Sequence, residues 1–487
     1  MSGDASRSAR PPAGGGAAPG APLEVVIAGG GVAGLEALLA LHRLAGPRVQ
    51  VELLAPEREY VYRPLAVAEP FSLAHPARLD LGELAAEHGA RHRQDALASL
   101  DPERRMLHMT SGRALHYDAL LLAIGARPSE AVPGALTFRG PADVAAFGAL
   151  LEDLRRGRVR SVAFALHEQV RWPLPLYELA LLSAAHLEPP AQAAVGWTLV
   201  SHERSPLEVF GTEASDAVAD LLGEAGIEFV GSRLPRRAAG GRLLLDDGAE
   251  LDAERVVALP ELRVPYLPGV PRAVGGFIPT DGLGLVRGLE HVFAAGDATT
   301  FPIKQGGLAA QQADTAATAI AALAGAPVEP HAPDLLLRAA LLTGSAPQFL
   351  RAALSDREGS STAASSALWW PPGKIAARYL APYLAGRTEG GRPPPLDDVE
   401  ALLGEEAEVA EAERSAALEL ALSASDLDAG WRDYESALKW LEVAEKLNVT
   451  VPPEYAEKRD RWTRLAQAGQ SEDAGERGER QPGASPP

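Results

Sequence analysis

EVVIAGGGVAGLEALLALHRL, residues 24–44, runs from an apolar strand through spaced glycines into an apolar helix. Gly29, Gly31 and Gly34 form G-x-G-x-x-G, with Val32 and Ala33 opening the helix between the second and third. Each glycine has its own reason: a tight turn, close backbone approach to a phosphate, and packing of helix on strand. A strand-turn-helix of this kind presents bare amides and the positive end of a helix dipole to a pyrophosphate. Taken alone the motif is weak, because a glycine-rich turn also joins strand to helix without any ligand.

Outward from this stretch, apolar strands alternate with helical segments, the pattern of parallel sheets covered by helices. EVVIAGG, VQVELLA, DALLLAIG, SVAFAL, GWTLVS, RVVALP and HVFAAGD are the strand candidates. With 487 residues, 46% of them hydrophobic, the chain exceeds one core and predicts two or three domains. It has no cysteine, which removes disulfides, thiolate nucleophiles, iron–sulfur ligation and dithiol redox centres together. Redox chemistry must then belong to a bound organic cofactor. The net charge of -19 argues against a nucleic-acid partner. No run of eighteen apolar residues and no apolar leader is visible, so a cytoplasmic protein is expected. Residues 1–22 and the end from about residue 467 are too polar or too poor in large apolar side chains to order themselves.

Two later segments add to the first motif. YDALLLAIGARP, residues 117–128, contains Gly125; HVFAAGDATTFPIKQGGLAAQQADTAATAI, residues 291–320, carries Gly296 and Asp297 after an apolar strand. With YVYRPLAVAEPF from Tyr60, which includes Arg63, and GFIPTD from Gly276, these resemble the pyridine nucleotide-disulfide oxidoreductase superfamily. Within it they are most similar to the branch of sulfide:quinone oxidoreductases and type II NADH dehydrogenases, over roughly residues 23–385. The resemblance implies an α/β protein with two Rossmann-like, three-layer domains and non-covalent FAD. The FAD-binding domain would be discontinuous, 23–150 and 270–330, around a second, degenerate NAD-type domain at 151–269. A C-terminal α+β segment, 331–386, and a linker with a helical tail, 387–466, would complete the chain.

By the same resemblance Asp297 accepts hydrogen bonds from the ribityl chain. The helix beginning near Gly306, with Gly307 and Leu308, would aim its N-terminus at the flavin pyrimidine, where its dipole favours the reduced anion. Lys304 would either add a positive charge there or be an ordinary solvated lysine. One departure concerns the adenosine ribose: Ala55 stands where an acid is expected, and Glu57 is the nearest substitute.

The electron donor is marked by what is missing. In relatives that use NAD(P)H the second unit repeats the glycine motif, but here SVAFAL is followed by HEQVRWPLPLYEL, residues 167–179. Its side chains would crowd a pyrophosphate, and Pro173 and Pro175 remove two amide donors. Glu203 after the next strand reads as a loop residue, while Arg171 is the one group that could hold a phosphate in another geometry. The sulfide-oxidising relatives also lack the glycine loop but work through cysteines, so that mechanism is excluded here. Toward a quinone acceptor, GGLAAQQADTAA keeps the later glutamine of an A-Q-x-A-x-Q pattern at Gln311 or Gln312, with Gly307 in place of the first. These glutamines either face a quinone or cap and line a helix. LWWPPGKIAARYLAPYLAG, residues 368–386, reads as a peripheral membrane anchor at the inner face of the membrane or as ordinary aromatic packing.

No histidine cluster or G-x-S-x-G elbow is present, so neither a metal nor a covalent nucleophile is expected. The tail offers EEAEVAEAE, a solvated face, and ALKWLEVAEKL, whose Trp440 and Leu441 suit the body, a second copy of the chain or a protein partner. Three readings of function stand: an FAD oxidoreductase with a small-molecule donor other than NAD(P)H and a quinone or other acceptor; an NAD(P)H dehydrogenase with an atypical site; and a flavin-binding interaction protein with negligible turnover.

Overall fold

The structure, a computed structural model, describes residues 21–354, 361–365, 367–369, 373–385, 422, 425, 434–446 and 451–465. The expectations for the outermost termini, the linker after residue 387, EEAEVAEAE, Trp370 and the Trp440 side chain lie outside the described residues.

The chain opens with β1 (Leu23–Ala28), α1 (Val32–Leu44), β2 (Val49–Leu54), β3 (Arg91–Arg93) and β4 (Ala119–Leu122). It then builds a second unit from β5 (Leu136–Thr137), β6 (Ser161–Leu166), α2 (Leu174–His186), β7 (Gly196–Ser201), β8 (Ile227–Val230) and β9 (Arg255–Ala258). β10 (Val292–Ala294) returns to the first unit and leads into α3 (Gly306–Leu323). Last come β11 (Leu336–Leu341), β12 (Gln348–Ala353), β13 (Ser361–Ala364) and the short α4 (Leu380–Ala385). All seven strands expected from the sequence are present.

The first sheet has the order β10-β4-β1-β2-β3 and the second β5-β9-β6-β7-β8, every pair parallel. Their strands are apolar on both faces because both faces are covered. In β1, Val25 and Ile27 pack toward α1 and α3, while Val26 and Ala28 face an antiparallel meander carrying Leu100, Leu107 and Met109. In β6, Val162 and Phe164 face the helical side with Leu179, and Ala163 and Ala165 face Leu243 and Leu245 of a second meander. Each unit therefore has three layers: helix, parallel sheet, antiparallel sheet.

The chain passes between the units at Arg127–Ser129 and Glu261–Arg263, two strands that pair antiparallel. Residue 150, the expected end of the first segment, falls inside the helix Val144–Arg155, whose Phe147, Leu150, Leu151 and Leu154 share one core with Phe164 and Leu179 and with Val67 and Phe71. The antiparallel sheet β11–β13 packs Leu337, Leu341 and Leu350 into that same core. Further on, Tyr434–Lys446 is a helix, and residues 454–465 form another, tied to it by the Arg459–Glu445 ion pair at 2.7 Å.

Candidate functional site

The turn after β1 uses its glycines in three ways. Gly29 has φ +122°, and a Cβ there would lie 2.1 Å from the Ala123 carbonyl oxygen at the end of β4. A Cβ on Gly34 would lie 1.9 Å from the Gly29 carbonyl oxygen, so α1 rests directly on the turn. Gly31 caps α1 with no side-chain hydrogen bond and faces open space. Val32 is half-buried and Ala33 buried. The first amides of α1 thus border a volume that no side chain fills, as an anion cradle requires. Gly125, at φ +63° after β4, turns the chain away from the same sheet edge.

Across β4, the carboxyl end of β10 presents Gly296 and Asp297. Gly296 sits at φ +80° against the Ala33 and Ala309 side chains, and its N–H donates to Gln312 Oε1 at 2.9 Å. Asp297 is half-buried and makes no hydrogen bond among the described residues. Burial raises its pKa, and the charges of Lys304 and Arg63 oppose that rise. Arg63 is exposed. Lys304 is no solvated surface lysine: it is 7% exposed, its Nζ donates to the Thr299 carbonyl at 2.5 Å and lies 4.3 Å from the centre of the Phe277 ring. Burial, with help from Arg171, pushes its pKa down to about 8 against the pull of Asp297.

The first turn of α3 is capped from within. The Gln305 side chain accepts from Leu308 N–H at 2.8 Å and donates to the Arg338 carbonyl at 3.1 Å. Leu308 is fully buried. Gly306 and Gly307 leave room for the C-terminal segment: Cβ atoms there would meet Ile375 at 3.0 Å and the Ala376 carbonyl at 3.3 Å. Both candidate quinone glutamines are engaged. Gln311 donates to the Leu336 carbonyl at 2.8 Å and accepts from Leu336 N–H at 3.0 Å, docking β11 on α3, while Gln312 holds Gly296. Neither caps a helix: each ties α3 to a neighbouring segment.

Glu57 is exposed three residues beyond β2, and Ala55 is buried with its carbonyl 3.2 Å from His92 Nε2.

In the second unit, the loop between β6 and α2 folds back on itself: Val170 N–H donates to the His167 carbonyl at 2.9 Å and Gln169 N–H to His167 Nδ1 at 3.2 Å. Val170 and Pro173 are buried where a glycine loop would leave bare backbone. Beside it lies a cleft of about 400 Å³, bounded also by the loop after β7 and by Pro302 of the Asp297 loop. Lys304 N–H donates to the Arg171 carbonyl at 3.1 Å, joining this cleft to the first site. Glu203 is 3% exposed and turned inward, accepting from Tyr177 Oη at 2.6 Å and Ser201 Oγ at 3.0 Å. Burial holds its pKa up at about 7.

The C-terminal segment is interior. Lys374 forms a buried ion pair with Glu178 of α2, which also accepts from Leu342 N–H at 2.9 Å. Trp369 is buried against Phe349, its Nε1 donating to the Gly373 carbonyl at 3.1 Å. Two members of the expected membrane anchor are thereby withdrawn from any surface, and the packing reading accounts for them. Glu36 of α1, buried and polar on an otherwise apolar helix, accepts the N–H groups of Arg378, Tyr379 and Leu380 at 2.8, 3.0 and 2.6 Å. Sequence reasoning passed over Glu36, Glu178 and Phe277. A glutamate inside an apolar helical run was the visible signal for the first two.

The pyridine nucleotide-disulphide oxidoreductase family matches residues 23–163. Among solved structures, the sulfide:quinone oxidoreductase of Aquifex aeolicus is 18% identical over 70% of this chain and 87% of that chain, with a TM-score of 0.64. The ferredoxin reductase for the CYP199A2 system of Rhodopseudomonas palustris is 22% identical over 68% of this chain and 82% of that one, TM-score 0.52. An NAD-dependent persulfide reductase from A. fulgidus is 16% identical over 69% and 65%, TM-score 0.50. At these identities the structures speak for the fold. The family match covers the segment that carries the glycine-rich turn, on which the sequence resemblance rests.

Proposed function

We propose that this chain is an FAD-dependent oxidoreductase performing two-electron transfer, with a donor other than NAD(P)H seated on a glycine loop. The observation that carries this reading is the pairing, at the carboxyl ends of β1 and β10, of an open pyrophosphate cradle at Gly31 with an Asp297 carboxylate that has no hydrogen bond among the described residues. When bound, FAD supplies the hydride and electron chemistry that a cysteine-free chain lacks. Gly29, Gly31, Val32, Ala33 and Gly34 would hold its pyrophosphate on the α1 amides, and Arg63 would add charge compensation. Asp297 would accept from hydroxyls of the cofactor chain. Gly125 and Gly296 keep backbone rather than side chain at the sheet edge. Glu57 would meet the adenosine ribose from outside β2. Lys304 holds a positive charge beside Asp297 in a desolvated place, and the first turn of α3, Gly307 and Leu308 included, adds its dipole there.

Support for excluding the usual nicotinamide seat comes from the buried Val170 and Pro173 in the β6–α2 loop and from the inward turn of Glu203. A second reading, an NAD(P)H dehydrogenase with an atypical site, is favoured by one observation, the open cleft beside Arg171. The acceptor is a small molecule or a protein; a quinone is supported by the fold likeness to the Aquifex aeolicus enzyme rather than by Gln311 and Gln312. Among the described residues no helix is long and apolar enough to cross a membrane. The test is anaerobic mixing of the yellow protein with NADH and with NADPH. Both should leave the visible flavin band intact over many seconds. Bleaching at catalytic rates would hand the donor role to the second reading, and a colourless protein that takes up no FAD would overturn the flavin assignment itself.

A further inference from the structure

The cleft of about 400 Å³ beside the β6–α2 loop lies at the carboxyl edge of the second sheet, where open α/β sheets take their ligands. It is at the small end of the range for ligand sites. Val170, Pro173, Val209 and Pro302 give it apolar walls. Most of its charged groups are already committed. Glu203 is spent on Tyr177 and Ser201, and Arg204 is tied to Glu208 at 3.4 Å. Arg171 and Glu168 are different: both are exposed, both line the cleft, and neither side chain has a hydrogen bond or ion pair among the described residues.

One uncommitted guanidinium and one uncommitted carboxylate on a partly apolar cleft match a ligand that carries one charge of each sign. A polyanion would meet the carboxylates of Glu168 and Glu208. A guanidinium reads a carboxylate through two parallel N–H donors, and an exposed carboxylate accepts from an ammonium. We propose that this cleft binds a small amino acid, its carboxylate on Arg171, its ammonium on Glu168, and its side chain against Val170, Pro173, Val209 and Pro302. This rests on the reading that no dinucleotide seats here. Because the Arg171 carbonyl holds Lys304 N–H, the occupant would lie next to the Asp297–Lys304 site.

Saturation-transfer NMR on the full-length protein tests it, with L-leucine, L-glutamate and L-lysine as probes and 4-methylpentanoate, 3-methylbutylamine and ADP-ribose as comparisons. At least one amino acid should bind, and the two single-charge analogues of leucine should bind more weakly than leucine or not at all. Arg171→Ala should weaken the amino acid about 10-fold or more; it leaves the carbonyl bond to Lys304 in place. Glu168→Gln, on the exposed part of the loop, should weaken the amino acid but not 4-methylpentanoate. Absence of binding by all three amino acids at about 10 mM overturns the proposal. So does equal binding of 4-methylpentanoate and leucine, which would make the site a plain anion site, or binding unchanged in both variants. If ADP-ribose binds and Arg171→Ala removes it, the underlying exclusion of a dinucleotide fails; amino-acid failure with ADP-ribose silent leaves that exclusion standing.

Discussion

Gly29 and Gly31 are two residues apart and differ in what a methyl group would meet. At Gly29 it would strike the Ala123 carbonyl oxygen from a backbone at φ +122°, while at Gly31, with φ −87°, it would enter open space. Gly29→Ala is therefore expected to lower stability by about 3 kcal/mol or more, through strain and overpacking together. Gly31→Ala should leave the unfolding midpoint almost unchanged yet weaken FAD uptake, since only an approaching phosphate would notice the methyl. Thermal melts of the apoproteins beside flavin titrations separate the two effects, and equal flavin affinity in Gly31→Ala would remove that residue from the cradle. Lys304 is a second residue whose worth lies in its charge. Lys304→Met keeps most of its bulk over Phe277 but removes the cation near Asp297. The bound flavin should then become harder to reduce, by about 30 mV or more, as read by equilibrium titration against a dye of known potential. The spacing of the glycines was legible because the positive φ at Gly29 and the close backbone approach at Gly34 exclude other residue types, and Gly31 completes the G-x-G-x-x-G pattern between them. Lys304 was not, because a lysine in a polar loop has the same letter whether buried or solvated.

At the scale of elements, two buried carboxylates hold the C-terminal segment to the rest. Glu178 of α2 pairs with Lys374, both almost wholly buried. Burial raises the pKa of Glu178 and lowers that of Lys374, each opposed by the partner's charge. Lys374→Met would leave Glu178 alone and cost about 3–5 kcal/mol at neutral pH. The loss should shrink in acid as Glu178 takes a proton, and Glu178→Leu/Lys374→Met together should recover most of it in urea unfolding. Glu36 joins α1 to the start of α4, with Asp314 of α3, Arg378 and Tyr379 facing it. Burial first, then Asp314, raises its pKa from 4.5 to about 7 against three backbone hydrogen bonds. A carboxyl that binds its proton more tightly when folded adds stability in acid and loses it as pH climbs from about 4.5 to about 7. Relative to Glu36→Gln, the native protein should thus lose up to roughly 3 kcal/mol across that window; parallel stability curves for the two would show that Glu36 does not titrate there. Helices α1 and α2 announced themselves by apolar content, but nothing along the chain said which distant segment their lone glutamates would meet.

For the whole molecule, the C-terminal segment works as part of the body. Leu337, Leu341 and Leu350 complete the second unit's core, Gln311 docks β11, and Ile375 and Ala376 lie on the first turn of α3. A chain ending at residue 386 should fold, melt cooperatively and take up FAD. One ending at residue 330 exposes that core and should aggregate or melt far lower, as light scattering and thermal melts would register. By itself the sequence determined the α/β class, the seven principal strands, the glycine turn after β1 and the lack of cysteine thiols, because these rest on local periodicity, on steric demands met by glycine at Gly29 and Gly34, or on a residue type being absent. Only the tertiary structure decided that residue 150 falls inside a helix, that Gln311 bonds to Leu336 and Gln312 to Gly296, that Trp369 and Lys374 are interior, and that a cleft stays open beside a loop with no glycine. Those outcomes depend on contacts between residues more than three hundred positions apart, such as Glu36 with Leu380, and burial of a polar side chain is set by its partner in space rather than by its neighbours in the chain.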